Sequence, residues 1–176
     1  MRSQLEESVL SVIRPVPEEK EHIGSENEKV MQAAAKRGGA EPMIVGSVAR
    51  GTFIHGDRDL DVFLLFDPDL SREQLEEKGL RLARHIADEL SDGYFEKYAE
   101  HPYINATIEG FDVDLVPCFR VASAAAIRSS VDRTPFHTRY IGSKIAPLVD
   151  DVLLLKQFAK SGGVYGSDQM TEGFSG

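Results

Sequence analysis

Gly46-Ser47-Val48-Ala49-Arg50-Gly51-Thr52, with Asp59-Leu60-Asp61-Val62-Phe63-Leu64-Leu65-Phe66 close behind it, decides how this chain folds. Side chains of an extended strand alternate faces, so Asp59 and Asp61 project from one side about 6.6 Å apart along the backbone. Leu60, Val62 and Leu64 point the other way, and the apolar run to Phe66 predicts a strand buried on both faces. Such a strand is a rigid mount for two carboxylates. Just upstream, Met43 to Val45 predicts a short strand, and Gly46-Ser47 a sharp turn out of it. Glycine permits close backbone approach there, and serine offers a hydroxyl. A helical turn opened by Ser47 to Gly51 would aim unpaired amides at an anion, and Arg50 would add a fork of donors.

A phosphate cradle beside paired carboxylates suits chemistry at phosphorus. Such chemistry needs charge neutralisation more than covalent help, and cations shared between carboxylates can clamp the attacking and leaving oxygens. A Gly-Ser turn alone is usually only a turn, and an isolated Asp-x-Asp is often solvated surface, so the order and closeness of the two carry the argument. Asp57-x-Asp59-x-Asp61 also imitates a calcium loop. That loop needs glycine at its sixth place and glutamate at its twelfth, where this chain has Val62 and Pro68, so it is rejected.

A third acid is expected nearby. Tyr103 to Ile108 and Phe111 to Pro117 read as strands joined by the tight turn Glu109-Gly110. The second strand puts Asp112 and Asp114 on one face, and the deeper Asp114, preceding Leu115-Val116, is the better candidate.

Several blocks together resemble the archaeal-type (class I) CCA-adding tRNA nucleotidyltransferases of the DNA polymerase beta-like superfamily. They are Gly46 to Arg50, Asp59 to Phe66, Tyr98-Ala99-Glu100-His101-Pro102-Tyr103, Val113 to Cys118, Val131 to His137, Leu153 to Lys156, Val164-Tyr165-Gly166 and Gly173-Phe174-Ser175-Gly176. The resemblance implies template-independent addition of C, C and A to the 3′ end of tRNA from CTP and ATP, with release of pyrophosphate. By position, Asp59, Asp61 and Asp114 match the catalytic, metal-binding carboxylates. Ser47, Arg50, Thr134, Lys156 and Tyr165 match triphosphate contacts, and His101 and His137 fall in the nucleotide pocket. Two Mg2+ are implied. One, on all three aspartates, would activate the 3′-hydroxyl; the other, on Asp59, Asp61 and triphosphate oxygens, would stabilise the leaving pyrophosphate.

The expected fold is α+β, a DNA polymerase beta-like nucleotidyltransferase head of small mixed sheet backed by helices over residues 1–144. The start of a helical second domain follows over 145–176. The chain stops where the resemblance expects another helix, so it reads as a fragment, and homodimerisation is expected through later domains. The competing readings are the same metal site acting on another RNA or a small molecule, or a nucleotidyltransferase-like regulatory module without chemistry.

The flanking pattern fits. Ser3 to Ile13 predicts a helix ended by Pro15 and Pro17, and Glu18 to Lys36 a second ended by Gly38-Gly39. Ser71-Arg72-Glu73-Gln74 resembles a capping box opening an amphipathic helix to Leu90. Tyr94 to Ala99 predicts a strand and Leu148 to Lys160 a helix. No apolar run is long enough to span a membrane, the acidic start is unlike a targeting peptide, and a single cysteine, Cys118, fits a reducing cytoplasm and a buried apolar role. The net charge of −9 is uneven. Residues 119–160 carry seven basic against three acidic residues, a stretch that could attract nucleic-acid phosphates.

Overall fold

The computed structural model describes residues 2–98 and 101–165, and only the backbone of Ala124. Ala99, Glu100, Gly166 and the block Gly173 to Gly176, all part of the sequence resemblance, lie outside the described residues. The first helix, α1 (Gln4–Ile13), starts from a capping box in which Ser3 accepts from the Glu6 amide and Glu6 reaches back to Ser3. It ends before Pro15. The second, α2 (Pro17–Arg37), takes Pro17 into its first turn, one residue earlier than expected, because the first helical position needs no amide donor. Gly38, at φ 68°, stops it.

Five strands follow, β1 (Glu41–Ile44), β2 (Asp59–Phe66), β3 (Tyr94–Tyr98), β4 (Pro102–Ile108) and β5 (Phe111–Phe119), in one sheet of order β1-β2-β5-β4-β3. Only β2 and β5 run parallel, so the sheet is mixed. β1 starts two residues earlier than the sequence suggested, because Glu41 already pairs with Leu65. Val45 leaves the strand while its amide still donates to the Asp61 carbonyl at 2.9 Å. β4 and β5 turn through Glu109 and Gly110, both at positive φ, as the tight turn requires.

The crossover from β2 to the rest of the sheet is α4 (Arg72–Leu90), opened by the Ser71 and Gln74 capping box. α4 packs on β4 and β5, and α2 on β1 and α4, so both helices cover one face. Leu60, Val62, Leu64, Ile104, Ala106, Val113 and Leu115 fill that layer from the sheet side. Gly79 lets α4 come close: a Cβ there would overlap the Pro117 ring.

The opposite face is divided. Its far half is apolar, with Val45, Phe63, Leu65 and Cys118 buried beside Met43, Val116 and Val131. Burial pushes the Cys118 thiol above its usual range, which suits an inert packing residue. Its near half carries the aspartates. Two further helices frame it, α5 (Ser130–Gly142) and α6 (Val149–Ser161), with short α3 (Gly46–Arg50) against β2 and α5. Leu10 and Ile13 of α1 pack with Ile54 and with Leu153 of α6. Arg2 and Arg14 both bind Asp150, at 2.8–2.9 Å.

Asp132 joins α5 to the sheet. Fully buried, its carboxylate accepts from the amides of Phe119 at 2.8 Å, Arg128 at 3.1 Å and Ser129 at 3.0 Å. Within the block Val131 to His137, Asp132 is therefore an anchor rather than a ligand-facing group. Asp132→Ala leaves these amides without their acceptor and should cost on the order of 3 kcal/mol. Urea denaturation checks this, and an unchanged midpoint would contradict the anchoring role.

Candidate active site

The register builds the site. Asp61 lies beside Asp114 and Asp59 beside Asp112 across the parallel β2–β5 pair. Strands in a sheet are about 4.8 Å apart, so four carboxylates share one patch of the half-covered face. Asn105 of β4 sits opposite Asp114 and donates its side-chain amide to both Asp114, at 2.7 Å, and Asp112. It holds the pair at fixed separation. Sequence reasoning missed Asn105, although its place on β4, nine residues before Asp114 across a two-residue turn, could have revealed it.

Burial and mutual repulsion disfavour ionisation here. The Asp61 carboxyl is raised above its ordinary value by burial, then by the charges of Asp114 and Asp59, with Arg50 and Lys156 pulling the other way. Asp59 is raised by burial and then by Asp57 and Asp112. Asp114 is raised by burial, against the Asn105 hydrogen bond. The neighbouring Tyr103 phenol is raised by burial and by Asp114. In each case burial is the larger cause and the neighbouring carboxylates add to it.

Gly46 completes the contact between turn and strand. It has φ 68°, and a Cβ would overlap the Asp61 carboxylate, falling 2.8 Å from Cγ. The chain can pass this closely only as glycine. Ser47 is the second residue of α3, half-buried, and its carbonyl accepts from the Thr52 amide at 2.9 Å. Gly51 ends α3 in the left-handed conformation.

Beside the aspartates opens a cleft of about 740 Å³. Asp61, Arg50, Thr134, His137, Lys156 and Tyr165 all line it, gathered from β2, α3, α5, α6 and the segment after α6. Ile141, Ile145, Val152 and Leu155 make its apolar wall, a contribution the sequence did not suggest. Lys156 is buried to 7% exposure, and burial lowers its pKa against the pull of Asp57. Its Nζ is 5.9 Å from the Tyr165 ring centre. A side chain this enclosed is not a surface lysine whose stem merely lies along apolar neighbours with its head in water.

His101 is placed elsewhere. It does not line the cleft; it is buried just before β4, its Nδ1 3.2 Å from Arg72 of α4. By register it belongs level with Cys118, about 13 Å along the sheet from Asp114. Asp57 also turns away from the row, accepting from Lys160 at 2.7 Å and from the Ile54 amide at 3.1 Å.

The donor set fits hard divalent cations. Such ions use one or two carboxylates and complete their shell with water and substrate phosphate oxygens. Among the described residues no three acidic, histidine or cysteine side chains are already closed into a ligand cluster. The aspartate row is thus an open half-shell rather than a cage.

Residues 28–137 match the model of the nucleotidyltransferase domain, and residues 150–176 that of the tRNA nucleotidyltransferase second domain. The chain is 62% identical over 176 residues to the CCA-adding enzyme of Methanoregula boonei, covering 99% of this chain and 38% of that protein. It is 48% identical over 179 residues to the CCA-adding enzyme of Methanosarcina barkeri, covering 98% and 39%. Among solved structures, a cytoplasmic RNA terminal U-transferase aligns with TM-score 0.64 at 20% identity, over 92% of this chain and 46% of that one. The polymerase core of TRAMP, an RNA surveillance complex, aligns with TM-score 0.63 at 17% identity, over 92% and 48%. These alignments establish the DNA polymerase beta-like fold.

Because the folded pKa of Asp61 is raised, its ionised form opposes folding. That cost is absent below the ordinary carboxylate value of 3.8 and grows as pH rises through the raised value. Metal-free Asp61→Asn should therefore melt a few degrees above the parent at neutral pH, with the gap closing toward pH 3. A lower melting temperature at pH 7 would contradict the cost of burying this charge beside Asp114 and Asp59.

Proposed function

Since the chain belongs to the nucleotidyltransferase domain family, we propose that it is the catalytic head of an enzyme adding C, C and A to the 3′ end of tRNA from CTP and ATP. The observation that carries this reading is the aspartate row beside a cleft holding Arg50, Thr134, Lys156 and Tyr165. The two CCA-adding relatives support the acceptor and the nucleotides; the chain spans 38–39% of their length. We place the change from the head to a helical second unit between residues 144 and 145.

Asp59, Asp61 and Asp114 would hold two Mg2+ ions. When bound, divalent ions neutralise the carboxylates, activate a hydroxyl and stabilise charge on departing phosphate oxygens. The chain's own residues do the rest. Asn105 fixes Asp114, and Gly46 brings the turn against Asp61. Arg50 and Lys156 supply positive charge on the cleft side, where a triphosphate would lie, and Thr134 and Tyr165 supply hydroxyl donors. The apolar wall of Ile141, Ile145, Val152 and Leu155 would exclude water from the bound nucleotide.

The test is incorporation of labelled CTP and ATP, by a protein carrying this chain through the length of its relatives, into tRNAs ending at the discriminator base, at C or at CC. Stepwise addition of C, C and then A is expected. Asp61→Ala should abolish transfer in a folded protein. Gly46→Ala, which pushes the carboxylate off its position, should slow transfer about a hundredfold. Transfer to small molecules but to no tRNA would favour a different acceptor, and normal turnover by Asp61→Ala would sink the metal-site assignment.

A further inference from the structure

The functional face does not end at the aspartates. The register continues Asp61 of β2 and Asp114 of β5 to Asn105 of β4 and then to Phe95 of β3. Lys97, two residues on, shares that face and pairs with Tyr103 of β4. The core-side partners run in the alternate positions, Tyr94 with Ala106 and Glu96 with Ile104, and Glu96 is held by Arg84 of α4 at 2.6 Å. Phe95 is therefore an aromatic ring on the aspartate side, and it is 75% exposed. An exposed large apolar side chain on an edge strand is a liability unless it is used.

The two sides of the aspartate row differ. Arg50, Lys156 and the cleft lie beyond β2, while β4 and β3 extend openly beyond β5. Phosphoryl transfer places the attacking and leaving oxygens roughly in line. If pyrophosphate departs on the cleft side, the attacking 3′-hydroxyl approaches across β5, β4 and β3.

We propose that Phe95 and Lys97 form the platform for the 3′-terminal single-stranded nucleotides of the RNA acceptor, Phe95 stacking on a base and Lys97 meeting a backbone phosphate. This rests on the nucleotidyl-transfer reading of the aspartate row. β3 lies two strand spacings from β5, about 9–10 Å, within reach of the last nucleotides of a chain whose 3′-hydroxyl sits at Asp114. Lys97 forms no ion pair among the described residues. An aromatic ring alternating with a cation is the combination that binds single strands without reading sequence, as an acceptor end that changes from cycle to cycle requires.

The test uses the full-length enzyme. Phe95→Ala should raise KM for a tRNA lacking its terminal nucleotides about tenfold, the effect of losing one stacked base. KM for CTP should stay within about twofold, and Phe95→Trp should restore the acceptor KM. Lys97→Ala should also raise acceptor KM and flatten its salt dependence, the mark of one lost phosphate contact. Equal rises in the acceptor and CTP values, or no rise in either variant, would overturn the platform. Binding of a fluorescent single-stranded RNA ending in CC, without nucleotide, separates the two claims. Weaker binding by Phe95→Ala supports the platform even if no C or A is ever added. Unchanged binding overturns it even if the wild-type enzyme adds both.

Discussion

The parallel pairing of β2 with β5 is the constraint on which the rest of the structure depends. It places Asp61 level with Asp114 and Asp59 level with Asp112, like charges on adjacent strands in a half-buried setting. Nothing in the sheet's own hydrogen bonding favours that. It is tolerated because the other face of the same two strands is wholly apolar, with Leu60, Val62, Leu64, Val113 and Leu115 in the main core. A parallel pair also needs a crossover. Here α4 and the β3–β4 hairpin fill it, and Gly79 seats α4 against Pro117. The face that stores hydrophobic stabilisation thus holds the charged face in place.

Neutralisation of the row is divided among neighbours that cannot finish the task. Arg50 and Lys156 oppose the charge of Asp61, and the Asn105 amide satisfies two carboxylate oxygens without bringing charge. Burial first, and the remaining repulsion second, leave all three candidate ligands with raised pKa values. A site of this kind stabilises its folded form most when cations are bound.

Period-two alternation made the strands legible in the sequence: Asp59 to Phe66 forms β2 with those bounds, and Glu109-Gly110 is the turn that its residue types demand. Capping chemistry at Ser71 made one helix start equally legible, and the structure shows the same device at Ser3. What stayed hidden is non-local. Asn105 is known as a partner of Asp114 only once β4 is paired with β5, and the packing of α1 on α6 joins residues some 140 positions apart. The block carrying His101 continues into β4, yet the strand direction carries His101 away from the aspartates. The basic stretch over 119–160 likewise does not form one patch. Arg120 lies 3.9 Å from Glu41, Arg128 stacks on Phe119, Lys160 pairs with Asp57, and Lys156 alone of the seven lines the cleft. Charge counted along a chain says little about where a fold will spread it.

The most direct test of the metal-centre account is Mn2+ binding to the protein, counted by electron paramagnetic resonance, with and without a non-hydrolysable CTP or ATP analogue. Two ions per chain with the analogue, fewer without it, and loss of binding in Asp61→Asn and Asp114→Asn are the predicted results. Tight Mn2+ binding that survives both substitutions, or no binding in the presence of nucleotide, would contradict it.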